Sequence, residues 1–279
     1  MTNLQDINSN LNEKYSGDID FSNDLYAFVD ESGDEGFNFD KEHVSHWFNV
    51  SSIIMTPQTS IDMINHVKNY NAAKPHPKAL TKLTAKDLNH SQKKDLFFGL
   101  SKFKFLTVHS LFYKPKINPN NRLVTYPSMY YVGVKNIIER MSWCVKQYCK
   151  RRIHIIVSGR NNILSEDLKK YLFEISVRAN KNLTYGEKIG IVKVGNITKY
   201  NQLLLADYSA YTIRMVFEEM GNPPCTEPQY FNWFQKGKLY SSTHSGFSGV
   251  WRNGLKITPD NPDLLKNCSD ILDEGSHKL

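Results

Sequence analysis

The sequence predicts an α/β fold with a mixed central sheet and helices on both faces. Two apolar runs near the N-terminus, at positions 25–29 and 46–55, are typical of strands, and strands so close in sequence most simply pair antiparallel. From position 103 onwards, strand-like runs alternate with helical segments, an order typical of parallel strands joined by helices. An antiparallel start followed by this alternation indicates one sheet of mixed direction.

The boundaries of each element follow from hydrophobic periodicity and from capping and turn residues. The predicted strands span positions 25–30, 46–55, 103–113, 153–157 and 190–194. The predicted helices span positions 60–72, 91–102, 127–150, 166–179 and 201–220. Ser60 is the predicted N-cap of the first helix, and Pro127 is the predicted first residue of the third.

The length and the composition predict how the chain is organised. With 279 residues, the chain is long enough to bury a large core as one domain. Residues 1–24 are rich in Asn, Asp and Ser and are predicted to be a flexible N-terminal segment. We expect the domain itself to span 25–220, and 221–279 to be a C-terminal extension that packs on the domain or continues it.

Charge and cysteine content narrow the class of protein. Lys and Arg outnumber Asp and Glu by 35 to 28, a formal charge of +7 that favours an anionic partner such as nucleic acid. The 4 cysteines form no CxxC pair, which argues against zinc and against a disulfide scaffold. There is neither a signal peptide nor an apolar run of about 20 residues, so we expect a cytoplasmic protein outside the membrane. A homo-oligomer or a protein partner is left open.

Asp30 is the first candidate functional residue. It follows the apolar run 25–29 directly and precedes a turn that contains Gly33 and Gly36. A carboxylate at the edge of a core is costly unless a cation meets it, and at the end of a strand that cation is commonly a metal ion. The alternative is that Asp30 caps a turn while the acids that follow it are solvated.

Asp207 is the second candidate. In the predicted last helix it lies on the apolar stripe of Leu203, Ala206 and Ala210, which should face the sheet. A carboxylate on a buried stripe requires a partner. The alternative here is a structural acid that pairs with Arg214 or caps a neighbouring loop.

Together the two acids resemble a known family. A strand ending in Asp30-Glu31-Ser32-Gly33 and a late helix carrying Leu205-Ala206-Asp207 resemble the DUF3800 family, whose members carry a DESG strand end and a QLAD-type helix on an RNase H-like fold. Thr198-Lys199 is similar to that family's Ser-Lys step before the helix. The resemblance covers roughly residues 25–220.

The resemblance implies a metal-dependent nuclease or phosphodiesterase. RNase H-like enzymes use acids from the first strand, a helix, the fourth strand and the last helix to hold two divalent metals, here Mg²⁺ or Mn²⁺. On this chain Asp30 would be the bridging ligand and Asp207 the second ligand. Glu31 is grouped with these catalytic acids, but it should point to the opposite side of an extended strand and so act from the turn. A role in phage defence or mobile-element biology is implied by analogy.

Two departures from the pattern support an alternative function. Ser158 ends the predicted fourth strand, where an acid is expected, and serine is a poor metal ligand. In the middle motif Lys82 stands where Glu is expected, although Asp87 is able to replace it. The second hypothesis is therefore a catalytically degenerate protein that binds nucleic acid or a protein partner without cleavage.

Ser32, Arg160 and Lys199 are the candidate substrate-binding residues, and the basic cluster at 150–152 is a further candidate for phosphate contacts. A nucleophilic hydrolase is disfavoured because the sequence contains no GxSxG motif. His109 and His154 lie on predicted strands and are interpreted as packing residues rather than as bases.

Overall fold

The computed structural model describes residues 24–41, 44–74, 83–125, 127–147, 150, 152–159, 166–168, 170–171, 188–219, 226–241 and 254–260. All statements about structure below refer to these residues. None of the helices in these ranges is both long enough and apolar enough to cross a bilayer.

Six strands form a single mixed sheet. They are β1 (Leu25–Ser32), β2 (Trp47–Met55), β3 (Leu106–Tyr113), β4 (Ile153–Ser158), β5 (Ile189–Gly195) and β6 (Leu255–Thr258). Their order across the sheet is β5-β4-β1-β2-β3-β6. β1, β2 and β3 pair antiparallel, whereas β4 runs parallel to β1, β5 parallel to β4, and β6 parallel to β3.

Five helices cover the sheet. They are α1 (Pro57–Ala73), α2 (His90–Leu100), α3 (Ser128–Gln147), α4 (Leu203–Phe217) and α5 (Gln229–Phe234). α1, α2, α4 and α5 contribute to the hydrophobic core on one face of the sheet, and α3 covers the other face. Residues 166–168 and 170–171 of the predicted fourth helix are also helical. The predicted α/β class, a mixed central sheet with helices on both faces, is confirmed, and its RNase H-like type stays a prediction.

β1 is buried on both faces because its apolar residues alternate between the two cores. Tyr26 and Phe28 pack on the face that carries α4, and Ala27 and Val29 pack on the face that carries α3. By this alternation Asp30 belongs to the α4 face. The strand therefore places its carboxyl-terminal acid on the side of the sheet where the last long helix lies.

The structure corrects one helix start and adds elements after position 220. α1 begins at Pro57, and its N-cap is Thr56 rather than Ser60: the Thr56 side chain accepts a hydrogen bond from the N–H of Thr59. This agrees with the preference of proline for the first helical position. α5 and β6 are not in the predicted set, and both join the same core. The domain boundaries stay a prediction, and residues 1–23 lie outside the described residues.

Candidate active site

The turn after β1 depends on Gly33. Its φ is 92°, in the left-handed region that residues other than glycine rarely adopt. A Cβ atom at this position would also collide with the backbone carbonyl of Trp47. Gly33 therefore lets the chain turn away directly after the two acids, which explains the glycine of the strand-end motif.

α4 brings Asp207 to the same face of the sheet as Asp30. Asp207 Oδ2 accepts a hydrogen bond of 2.7 Å from the backbone N–H of Ala85. Arg214, considered above as a partner for Asp207, instead donates through Nε to Ser32 Oγ at 2.9 Å. Of the two structural roles considered for Asp207, the pair with Arg214 is therefore wrong, whereas the bond from Ala85, the first residue of the turn at 85–87, fits the capping of a neighbouring loop.

Asp30, Glu31 and Asp207 form a cluster of interacting carboxyl groups. Burial raises the pKa of Asp30 well above its ordinary value, and the negative charges of Glu31 and Asp207 raise it further. Burial also raises the pKa of Asp207, to about 6, although the Ala85 N–H and the Lys86 ammonium favour its charged form. Such a cluster is costly when ionised unless a cation lies against it.

The cluster borders a cleft with a volume of about 390 Å³. The end of β1 and the loop after it form one wall, the turn at 84–86 forms a second, and one stripe of α4 forms the third. The charged and polar lining residues include Glu31, Ser32, Lys86, Asp207, Tyr211 and Arg214. Asp30 lies beside the cleft rather than in its wall, in electrostatic contact with Glu31 and Asp207.

Glu31 was expected on the opposite side of the sheet, and this expectation is wrong. Its side chain lines the cleft and acts electrostatically on both Asp30 and Asp207. Glu31 lies near the end of β1, where the strand changes from buried to partly buried.

Asp34 and Glu35, which the alternative interpretation left in solvent, hold the loop that follows β1. Asp34 accepts hydrogen bonds from the N–H and the hydroxyl of Ser45 at 2.6 and 2.9 Å and from the N–H of Gly36 at 2.7 Å. Burial disfavours the charged form of Asp34, but these bonds outweigh it and lower the pKa. Glu35 accepts from the N–H of Tyr130 in the first turn of α3.

Lys114 anchors the same loop from the end of β3. Its side chain is fully buried, and Nζ donates to the carbonyls of Asp34 and Gly36 at 2.9 and 2.7 Å. It also lies 3.2 Å from Asp34 Oδ1. Because Asp34 lines the cleft, Lys114 fixes one wall of the candidate site without entering it.

Ser158 stands next to Asp30 in the sheet. Val29 pairs with Val157 in the parallel β1–β4 register, so the next step along both strands brings Asp30 beside Ser158. The fourth strand thus ends at the candidate site, as predicted, but with a hydroxyl instead of an acid. Within the described ranges, no group of three or more His, Cys, Asp or Glu side chains is arranged to hold a metal ion.

The middle motif of the resemblance also reaches the site. Lys82 lies outside the described residues, but the turn at 84–86 lines the cleft. Asp87 accepts hydrogen bonds from the N–H and the hydroxyl of Thr84 at 3.3 and 2.8 Å, and so caps its own turn. Its charge raises the pKa of Asp207.

The predicted substrate-binding residues divide into three cases. Ser32 lines the cleft. Lys199 is exposed in the turn before α4 and is not among the lining residues. Arg160 lies outside the described residues. Of the basic cluster, Lys150 and Arg152 precede β4, which places them at the opposite end of the parallel strands from Asp30.

A serine–histidine pair lies near Asp30 but cannot reach a substrate. Ser51, the cross-strand partner of Asp30, has its Oγ 2.7 Å from His109 Nδ1. Both side chains are fully buried, and burial lowers the pKa of His109 to about 3. His109 is therefore a neutral packing residue, as the sequence predicts, and this pair is not a hydrolase nucleophile.

Tyr211, Arg214 and Lys86 are cleft residues that the sequence prediction missed as site residues. Tyr211 and Arg214 follow Asp207 by four and seven positions, the spacing at which residues share one face of a helix. This periodicity was the available signal. Lys86 had no comparable signal, because only the fold brings its turn to α4.

The comparisons with known proteins are sparse. No protein-family profile matches the chain, and no curated protein matches it significantly. Among solved structures, the chain is similar to the ribonuclease H2 from Pyrococcus horikoshii OT3, with 14% sequence identity, a TM-score of 0.37, and coverage of 75% of this chain and 84% of that chain. So distant a likeness carries no conclusion about activity, which has to be inferred from the site itself.

Proposed function

We propose that this protein is a metal-dependent phosphodiesterase or nuclease of the RNase H-like type and a member of the DUF3800 family. The observation that supports the proposal best is the meeting of Asp30 and Asp207. These two acids come from the first strand and the last long helix. The negative charge of each adds to the energetic cost of ionising the acidic cluster beside the cleft. That cost has a functional explanation if the cluster binds cations.

The donor atoms of the cluster suit Mg²⁺ or Mn²⁺. Both ions prefer carboxylate oxygens, and Asp30 and Asp207 supply these, with Glu31 beside them. The backbone N–H groups of Glu31 and Ala85 donate to one oxygen each of Asp30 and Asp207, at 3.0 and 2.7 Å, and the Asp30 carboxyl group also bonds the Glu31 side chain. When bound, such ions lower the pKa of water and stabilise a leaving oxygen.

The remaining cleft residues suit a phosphodiester substrate. Lys86 and Arg214 provide positive charge in the same cleft as the acids, so that a phosphate finds cationic partners beside the acidic cluster. In the proposed reaction water adds to phosphorus and one P–O bond breaks, giving a phosphate monoester and an alcohol. The net charge of +7 favours a nucleic-acid substrate. A role in phage defence or mobile-element biology is part of the proposal by analogy.

The test is cleavage of labelled single- and double-stranded DNA and RNA in Mg²⁺ or Mn²⁺, with EDTA as the blank. The variants Asp30→Asn and Asp207→Asn remove charge at nearly constant shape. We expect each to lose more than about 100-fold in rate, since disturbing only the support of a metal ligand already costs roughly 10–100-fold. Asp62→Asn, an exposed acid on α1, is the matched control and should keep full activity.

The second candidate function is binding without cleavage, and Ser158 is the observation that favours it. A hydroxyl at the end of β4 supplies less negative charge for divalent ions than an acid would. Under this alternative, the protein shifts nucleic acid in a gel while no substrate is cut under any metal condition. Cleavage that requires Asp30 and Asp207 excludes it.

A further inference from the structure

One stripe of α4 carries three different chemical groups into the cleft. Asp207, Tyr211 and Arg214 follow each other at helical spacing, and all three line the cleft. The proposed hydrolysis uses the acid, and phosphate binding accounts for a cation. Neither explains why an aromatic ring stands between them.

A contact with Lys93 on α2 holds the Tyr211 side chain in place. Lys93 on α2 donates from Nζ to the Tyr211 hydroxyl at 2.8 Å, and the same ammonium lies 4.8 Å from the centre of the Tyr230 ring. Lys93 is only 8% exposed, and this contact lies where α5, which carries Tyr230, packs against both α2 and α4. Tyr211 therefore presents a ring of fixed position to the cleft, while its polar end is already satisfied.

Two contacts hold the Arg214 side chain near the end of β1. Its Nε donates to Ser32 Oγ at 2.9 Å, and Nη1 lies 3.6 Å from Glu218 Oε2. The Glu218 carboxylate also accepts the N–H groups of His46 and Trp47 at 2.7 and 3.0 Å, so its charge is shared. Among the described residues these contacts leave Nη2 of Arg214 available to an anion.

Arg214 contacts β1 just beyond the first acid, through Ser32. Ser32 follows Asp30 by two residues, which is about 6.6 Å along an extended strand. A phosphate on Arg214 is thus close to the acids without occupying them, with the Tyr211 ring beside it.

We propose that the cleft binds an unpaired nucleic-acid strand, with one base stacked on Tyr211 and the adjacent phosphate held by Arg214. This inference rests on the proposed function, because it concerns the substrate of the same site. An aromatic ring stacks only with a base whose face is exposed, which a base within a duplex does not offer. One nucleotide unit fits within the cleft volume of about 390 Å³. Lys93 is a positioning residue for Tyr211.

The test measures binding without cleavage, by fluorescence anisotropy in EDTA with a labelled single-stranded oligonucleotide and its duplex. We expect the single strand to bind more tightly. Tyr211→Leu should weaken this binding roughly 5- to 100-fold, the loss expected for one base–aromatic stack, while Tyr211→Phe, which keeps the ring but not the bond to Lys93, should lose less. Tyr70→Leu, a partly buried tyrosine on α1, is the control and should bind as the wild type does.

An abasic oligonucleotide separates stacking from a general loss of structure. One abasic site at the bound position should weaken wild-type binding but leave Tyr211→Leu unchanged. Arg214→Gln should reduce affinity for both oligonucleotides and flatten the salt dependence, whereas Arg122→Gln, at an exposed arginine, should do neither. Preferential binding of the duplex, or equal abasic effects in wild type and Tyr211→Leu, would overturn the inference.

The outcomes distinguish this inference from the proposed function. If single strands bind through Tyr211 but nothing is cleaved, the nuclease proposal fails and the binding inference stands. If a duplex is cleaved through Asp30 and Asp207 while Tyr211→Leu has no effect on binding, the inference fails and the nuclease proposal stands.

Discussion

Asp207 on α4 acts electrostatically on Asp30 at the end of β1, and its negative charge raises the pKa of Asp30. The two residues lie far apart in the chain, and only the packing of the last long helix on the first two strands brings them together. Stability alone does not favour this arrangement, because neutral residues would fill the same space without repulsion. The free energy of unfolding that the cluster costs, and the contacts that hold the cleft wall beside it, can be measured separately.

The variant Asp207→Asn should stabilise the metal-free protein. Burial raises the pKa of Asp207 to about 6, so at pH 8 the folded state carries an unfavourable charge. With about 1.4 kcal/mol for each pH unit of raised pKa, the gain should be about 1–3 kcal/mol. Urea unfolding in EDTA at pH 8 measures it, with Asp62→Asn as the control. A clear loss of stability in Asp207→Asn would show that the carboxylate is a structural group.

The variant His109→Asn should reduce sensitivity to acid. Burial lowers the pKa of His109 to about 3, below its ordinary value of about 6.5, so between these values the unfolded state binds the extra proton. The wild type therefore loses stability as the pH falls below about 6.5. Between pH 7.5 and 5.0 the wild type should lose about 2 kcal/mol more than His109→Asn does. His46→Asn, an exposed histidine, should follow the wild type, and parallel losses in all three proteins would contradict the prediction.

The variant Lys114→Met should destabilise the protein by roughly 2–4 kcal/mol, because it leaves the carbonyls of Asp34 and Gly36 and the Asp34 carboxylate without their buried ammonium partner. Lys116→Met changes an exposed lysine of the same turn and should be nearly neutral. Hydrogen exchange should show faster opening of residues 33–36 in Lys114→Met alone. Equal stability of the two variants would remove the proposed anchor of the cleft wall.

The variant Glu218→Gln should cost about 1–3 kcal/mol, because the carboxylate accepts two backbone N–H groups at the start of β2 and the amide replaces them incompletely. Glu219→Gln, an exposed neighbour, is the matched control. Since Glu218 also lies beside Arg214, nucleic-acid binding should change in Glu218→Gln and remain normal in Glu219→Gln. Unchanged stability and binding in Glu218→Gln would exclude this supporting role.

The sequence predicts those site residues whose signal is local. Asp30 stands out because a buried strand ends at it, and Asp207 because it interrupts an apolar helical stripe. Glu31 was placed on the opposite side of the strand, whereas it lines the cleft. β6 was missed because four residues with the pattern Leu-Lys-Ile-Thr carry little periodicity and depend on pairing with β3. Lys86 was missed because only tertiary packing brings its turn to Asp207.

Binding of Mn²⁺ to the purified protein, measured by isothermal titration calorimetry at pH 8, tests the central claim most directly. The account predicts that the wild type and Asp62→Asn bind Mn²⁺ alike, while Asp30→Asn and Asp207→Asn each lose more than about 10-fold in affinity. Equal affinity in all four proteins, or no binding by the wild type, would contradict the assignment of the acidic cluster as a metal site.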